Sequence, residues 1–173
     1  MLKIMREDII ARIDLTKIQW ANRLTTNCYA YALGLDVPEK TICDYAYVPG
    51  VISDNENGIY YKYTFSLEEL VQCLESDFNF LGIDFREGVT PEELEEKEWL
   101  IALYVRNFYY GKKGVLDDYH FLRFNEEEGV WYHKNGYNGK VLNVDFSRKT
   151  IYSLEECNMK DREFVKTYAL KLK

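Results

Sequence analysis

An α+β fold, with N-terminal helices packed on a largely antiparallel C-terminal sheet, is predicted by two observations. Helical spacing and capping signals fill the first half of the chain, whereas alternating or continuously apolar runs bounded by turn residues fill the second. The 173 residues contain no repeat, low-complexity tract or Pro/Gly/Ser-rich linker. Residues 1–173 are therefore read as one domain, long enough to bury roughly 70% of the unfolded chain's surface.

The elements follow in order. Ile9, Ile10 and Ile13 lie at helical spacing within residues 6–15. The stretch Asn27-Cys-Tyr-Ala-Tyr-Ala-Leu-Gly34 reads as a short helix, capped by Thr26 or Asn27 and stopped by Gly34. Being apolar on all sides, it should be buried. Residues 36–63 read as loop, with Pro38, Pro49-Gly50 and the polar run 53–58. Ser66-Leu-Glu-Glu69 is a capping box ahead of Leu70, Val71 and Leu74, and Thr90-Pro-Glu-Glu93 repeats that grammar with proline at the first helical position. The acidic segment 87–98 is read as a solvated helix face.

Residues 99–106 (WLIALYVR) are apolar on both alternating faces, which suits a strand covered on both sides. Residues 119–125 and 130–135 flank Glu-Glu-Glu-Gly129 and read as a hairpin. Asn143 to Asp145 extends the sheet, and 164–172 reads as a closing strand.

Composition excludes several function classes. The net charge of −7 offers no general counter-charge to phosphate backbones or anionic membranes, so neither nucleic acid nor membrane is an expected partner. No apolar run approaches the ~20 residues of a bilayer crossing. Glu7 and Asp8 interrupt any signal-peptide core, so the expected location is cytoplasmic. Cysteines 28, 43, 73 and 157 show no CxxC pairing and are read as free thiols. With only two histidines, a Cys/His zinc site is not expected, and no metal or organic cofactor is implied.

Those two histidines carry the argument about chemistry. A nucleophilic cysteine needs help to become thiolate, and a helix start supplies partial positive charge. Cys28 directly follows the cap of an apolar helix, although such a helix also holds cysteines simply as small hydrophobes. A cysteine nucleophile further needs an imidazole to move its proton and a polar group to orient that imidazole. If Asn125 pairs with Val130 around a four-residue turn, cross-strand partners sum to 255. His120 then faces Asn135, and His133 lies diagonal to it on the same face. A three-residue bulged turn would instead send His133 to the opposite face.

Cys28 at a helix start, followed by His120 and His133 on neighbouring strands, resembles the NlpC/P60 branch of the papain-like cysteine hydrolases. The stretches 118–123 (DYHFLR), 129–136 (GVWYHKNG) and 143–145 (NVD) are also similar to uncharacterised bacterial and phage proteins of like cysteine–histidine design. The resemblance implies a papain-like core and a peptidase, amidase or deamidase acting on a peptide, isopeptide or glutamine-containing substrate. Cys28 would be the nucleophile, His120 the general base and acid, and His133 the orienting group, with Asn135, Asn143 and Asp145 as rivals for that last role. The interval between Cys28 and His120 exceeds that of a minimal domain of this type, which implies inserted elements. The backbone N–H of Cys28 would serve the oxyanion, with Gln19 or Asn22 as a side-chain donor. A different class of function remains open on the sequence: a non-catalytic interaction protein using an aromatic groove around Tyr45, Tyr47, Tyr60, Tyr61 and Tyr63.

Overall fold

The computed structural model describes residues 6–21, 26–35, 47–53, 59, 62–107, 112–136 and 139–173. Asn22 and Cys43, and with them Tyr45, Tyr60 and Tyr61, lie outside these residues. Helices precede a six-stranded antiparallel sheet, so the class is α+β. The helices are α1 (Arg6–Ile10), α2 (Cys28–Ala32) and α3 (Leu67–Leu81), and the strands are β1 (Ile83–Glu87), β2 (Trp99–Asn107), β3 (Leu116–Asn125), β4 (Val130–Lys134), β5 (Val141–Leu142) and β6 (Glu163–Leu172). Their order across the sheet is β1-β6-β2-β3-β4-β5.

Local chemistry explains the helices. Asn27 caps α2, its side-chain oxygen accepting from the Ala30 amide at 2.8 Å, and Gly34 ends it at φ 72°, a left-handed position that suits glycine. At α3 the Ser66 hydroxyl accepts from the Glu69 amide while the Glu69 carboxylate accepts from the Ser66 amide, the reciprocal box the sequence predicts. Leu70, Leu74, Phe78 and Leu81 form the buried stripe of α3. The first helix is shorter than its apolar spacing predicts. Beyond Ile10 the chain leaves the helix to bridge Ile13 with Leu35, and the Asp14 amide donates to the Gly34 carbonyl, so tertiary pairing overrides propensity there.

The acidic segment is not a helix face. Glu87 ends β1, a strand that the sequence reading missed, and the Thr90 box closes only one 3-10 turn, Pro91–Glu93. Leu94 is already extended, and Arg86 gathers the Glu98 carboxylate at 2.7 Å together with the Glu93 carbonyl at 2.9 Å. A guanidinium holding both ends of the segment favours a tight turn over a continuing helix. The fifth strand also differs from expectation. Val141 and Leu142 pair with β4, whereas Val144 makes an isolated bridge to Thr150. Strand β6 is the closing strand the sequence predicts, and in the sheet it lies between β1 and β2.

Both sheet faces are covered. On one face α2 and α3 pack over Ile101, Leu103, Phe121, Tyr168 and Leu170; on the other, Leu100, Ala102, Tyr104, Leu122 and Ala169 pack with Trp131, Ile151 and Met159. This double burial accounts for the continuous apolar run of β2.

One buried carboxylate fastens the segment 47–53 to this framework. Asp77 interrupts the apolar stripe of α3 and is fully buried. It accepts from the Tyr29 hydroxyl at 3.0 Å, the Gly50 amide at 2.8 Å, and the Ser53 amide and hydroxyl at 2.8 and 2.7 Å. Burial pushes its pKa up to about 6 against the lowering effect of those donors. Asp77→Ala leaves several of these donors unmatched and should cost on the order of 3 kcal/mol in denaturant unfolding at pH 7. A loss below about 1 kcal/mol would show that the segment is held by other contacts.

Candidate functional site

The hairpin takes the register in which partners sum to 255: Leu122 opposes His133 and Asn125 opposes Val130. His120 and His133 therefore share the sheet face that carries Leu122 and Tyr104. Their rings meet edge to face, with His120 Nε2 2.9 Å from His133 Nδ1. His133 Nε2 lies 2.7 Å from the carbonyl oxygen of Val144.

These contacts determine where the protons sit. A carbonyl oxygen can only accept, so His133 Nε2 carries hydrogen and, in the neutral ring, Nδ1 is a bare acceptor. His120 Nε2 must then donate to it, which leaves His120 Nδ1 as a lone-pair acceptor. Both rings are neutral at pH 7. Burial pushes the His120 pKa well below its ordinary value, with further lowering from His133 and Arg162. Burial also lowers His133, although its bond to Val144 and the neighbouring Asn135 side chain oppose the shift.

Cys28 approaches from the other side of the sheet. It belongs to the core that includes Phe121 and Leu103, on the α2 face. Strand β4 is paired with β3 only from Leu122 onward, so β3 outruns its neighbour, and the free edge near Phe121 is where Cys28 packs. A cavity of about 590 Å³ opens at this edge, and Cys28, His120, Asn27 and Asn135 all line it. Cys28 and His120, 92 positions apart, thus both contribute to the wall of one cavity.

The protonation of Cys28 differs from the expectation of a thiolate poised at a helix start. Burial pushes the thiol up to about 12. The Phe121 backbone, the Arg162 charge and the Tyr29 backbone act in the opposite direction, while Asp118 adds to the rise. A five-residue helix carries too small a dipole to overcome desolvation. The resting pair is a neutral thiol and a neutral imidazole.

The other candidates take different places. Asp145 is buried, and its carboxylate accepts from the amides of Ser147, Lys149 and Asn158 at 2.8–3.0 Å, which makes it the organiser of the turn after Val144. Burial raises its pKa, but these donors together bring it below the usual carboxylate value. The Asn143 side chain sits with Tyr132, on the face of β4 opposite His133. Gln19 bonds to Glu128 and lines a separate cavity beside Trp20, away from Cys28. Of the aromatic loop, Tyr47 is buried and Tyr63 is almost fully exposed. Cys157 is a half-buried free thiol whose pKa burial pushes up to about 11. Among the described residues no cluster of histidine, cysteine and carboxylate has the makings of a metal site.

The sequence reading missed Arg106, Phe146, Lys160 and Arg162, which line the same cavity. Arg106 had a signal: it is the charged residue that ends the apolar run of β2. No helix among the described residues is long and apolar enough to cross a membrane. The chain matches no family model, no curated protein and no solved structure.

The buried histidines make stability depend on pH. Below about 6.5 an unfolded histidine takes a proton that the folded ring resists, so stability is full above that pH and falls as pH drops toward the depressed folded values. Each ring contributes up to about 1.4 kcal/mol per pH unit in this window. Asp77 acts in the opposite sense: its raised pKa adds stability as pH falls through about 6. Comparing wild type with His120→Gln isolates one ring. The wild type should lose about 1 kcal/mol more than the variant between pH 6.5 and 5.5, and equal losses would mean that His120 is not held neutral.

Proposed function

We propose that the chain is a cysteine-dependent hydrolase or acyl-transfer enzyme with a papain-like core of NlpC/P60 type, acting on an amide-type bond. The observation that carries this reading is the chain from His120 through His133 to the Val144 carbonyl, which leaves Nδ1 as the acceptor of a histidine that, like Cys28, lines one cavity. His133, rather than Asn143 or Asp145, takes the orienting role, because its Nδ1 lies at hydrogen-bond distance from His120.

The chemistry follows from the neutral resting pair. As the Cys28 sulfur bonds to the carbonyl carbon, its proton passes to His120 Nδ1. The imidazolium so formed is stabilised through its Nε2–H bond to His133. The carbonyl oxygen becomes an oxyanion, for which the backbone N–H of Cys28 is a donor that the helix start leaves without an intrahelical acceptor. The proton then goes to the departing nitrogen as the C–N bond breaks, giving a thioester. Water, activated by the same imidazole, cleaves the thioester, or an amine intercepts it. A peptide, an isopeptide and a glutamine side chain all meet these requirements.

Because burial keeps Cys28 protonated, its reaction with an electrophile should depend on His120. His120→Gln should slow iodoacetamide modification of Cys28 at pH 7 about 100-fold or more, as followed by mass spectrometry of the Cys28 peptide. Unchanged kinetics would remove His120 from the reaction. Cys28→Ser, nearly isosteric, should abolish turnover while moving the melting temperature by only a few degrees; loss of folding would point to a packing role for the thiol instead.

A further inference from the structure

Among the described residues nothing neutralises the charge of Arg123. It lies on the same face of β3 as Phe121, where the alternation calls for an apolar side chain, and it is only 1% exposed. Its Nη2 donates to the Leu15 carbonyl and its Nη1 to the Lys17 carbonyl at 3.4 Å, beyond the ordinary length of such a bond. Its Nε is buried without any partner. Asp14 is the carboxylate that acts on it, yet that group is bonded to the Thr16 amide and hydroxyl. Burial accordingly lowers the pKa of the guanidinium, with Tyr31 and Asp14 opposing. A lone buried cation costs more than an apolar side chain of its size in the same place, so packing gives no reason to keep it.

Arg123 lines a cavity of about 620 Å³ whose walls include the segment 15–20 and the hairpin turn 126–128. This cavity shares no described lining residue with the one beside Cys28. Its lining carries four glutamates against Arg123 and two lysines, so a simple anion does not fit it. Two of the glutamates are engaged: Glu98 accepts from Arg86, and Glu128 from Gln19 and Tyr132. Glu126 and Glu127 are exposed, and their carboxylates make no bond among the described residues. Trp20, 57% exposed, adds an aromatic wall. A buried positive group, a negative rim and an aromatic wall together match a molecule that carries both charges and an apolar part.

We propose that this second cavity binds a free amino acid with an apolar side chain. Its carboxylate takes the Nη1 donor of Arg123 in place of the long bond to the Lys17 carbonyl. Its ammonium sits against Glu126 and Glu127, and its side chain lies along Trp20. The inference is independent of the reading of Cys28 as nucleophile, because it uses no residue of that site.

Three probes test this by NMR titration of the intact chain: L-phenylalanine, N-acetyl-L-phenylalanine, which lacks the ammonium, and L-phenylalaninamide, which lacks the carboxylate. The Nε–H signal of Arg123 and the indole N–H signal of Trp20 report binding. L-phenylalanine should shift both signals and saturate at millimolar concentration. Each blocked form should bind about tenfold or more weakly, having lost one charge-assisted contact. Arg123→Gln, which keeps a donor for the Leu15 carbonyl, should abolish the Trp20 shift. Glu126→Gln combined with Glu127→Gln, on an exposed turn, should weaken L-phenylalanine about tenfold and leave N-acetyl-L-phenylalanine unchanged. No shift with L-phenylalanine, equal binding of the amide, or binding that survives Arg123→Gln would overturn the proposal. A Trp20 shift without one at Arg123 would mean stacking alone and would overturn it too. Should Arg123→Gln fail to fold, the double glutamine variant decides, and an unchanged affinity for L-phenylalanine there overturns the proposal.

Discussion

A single backbone carbonyl governs the site. Because Val144 O can only accept, it fixes the tautomer of His133, and His133 in turn fixes that of His120. Two rings that would otherwise exchange tautomers freely are locked into one proton arrangement by a group that cannot titrate. The carbonyl is itself held in place by the turn that Asp145 organises through three backbone amides. This gives Asp145 a role two steps removed from the imidazole, and it explains why a carboxylate so close in sequence to the site makes no hydrogen bond to either ring.

The sheet supplies the rest by ending unevenly. Covering both faces buries the histidines on one side and Cys28 on the other, and a flat sheet would keep them apart. Since β4 begins its pairing at Leu122, the outer edge of β3 near Phe121 is left to α2. The cavity wraps that edge, so side chains from opposite faces share its wall. The buried carboxylate of Asp77 tethers Tyr29, next to the thiol, and the segment 47–53, whose Val48 also lines the cavity.

Much of this was legible in the residues, and the exceptions have physical causes. The caps at Asn27 and Ser66 act through neighbours three residues away, so sequence order contains their geometry. The hairpin itself was legible, but its register was open between a four-residue turn and a three-residue bulged one; the structure has the four-residue turn, which puts both histidines on one face. By contrast, the end of α1 depends on Leu35, and the tight turn after β1 depends on Arg86 reaching Glu98; both are tertiary contacts that propensity cannot encode. Asp77 left a trace, a carboxylate at a position where the α3 stripe calls for an apolar side chain. Lys160 and Arg162 left none, since charged residues in a polar segment read as solvent-facing until the fold brings them to the cavity.

Burial and the Arg162 charge bear on the proposed reaction differently. Desolvation alone would leave a thiol that resists ionisation and an imidazole that resists protonation, a pair with no tendency to exchange a proton. The Arg162 charge eases the first of these, because it favours sulfur anion, and deepens the second, because it disfavours imidazolium. On the proposed reading, Arg162 shifts both proton affinities the same way and so leaves the transfer from Cys28 to His120 about as uphill as burial makes it. The proton must therefore move together with the bond from sulfur to the carbonyl carbon rather than ahead of it.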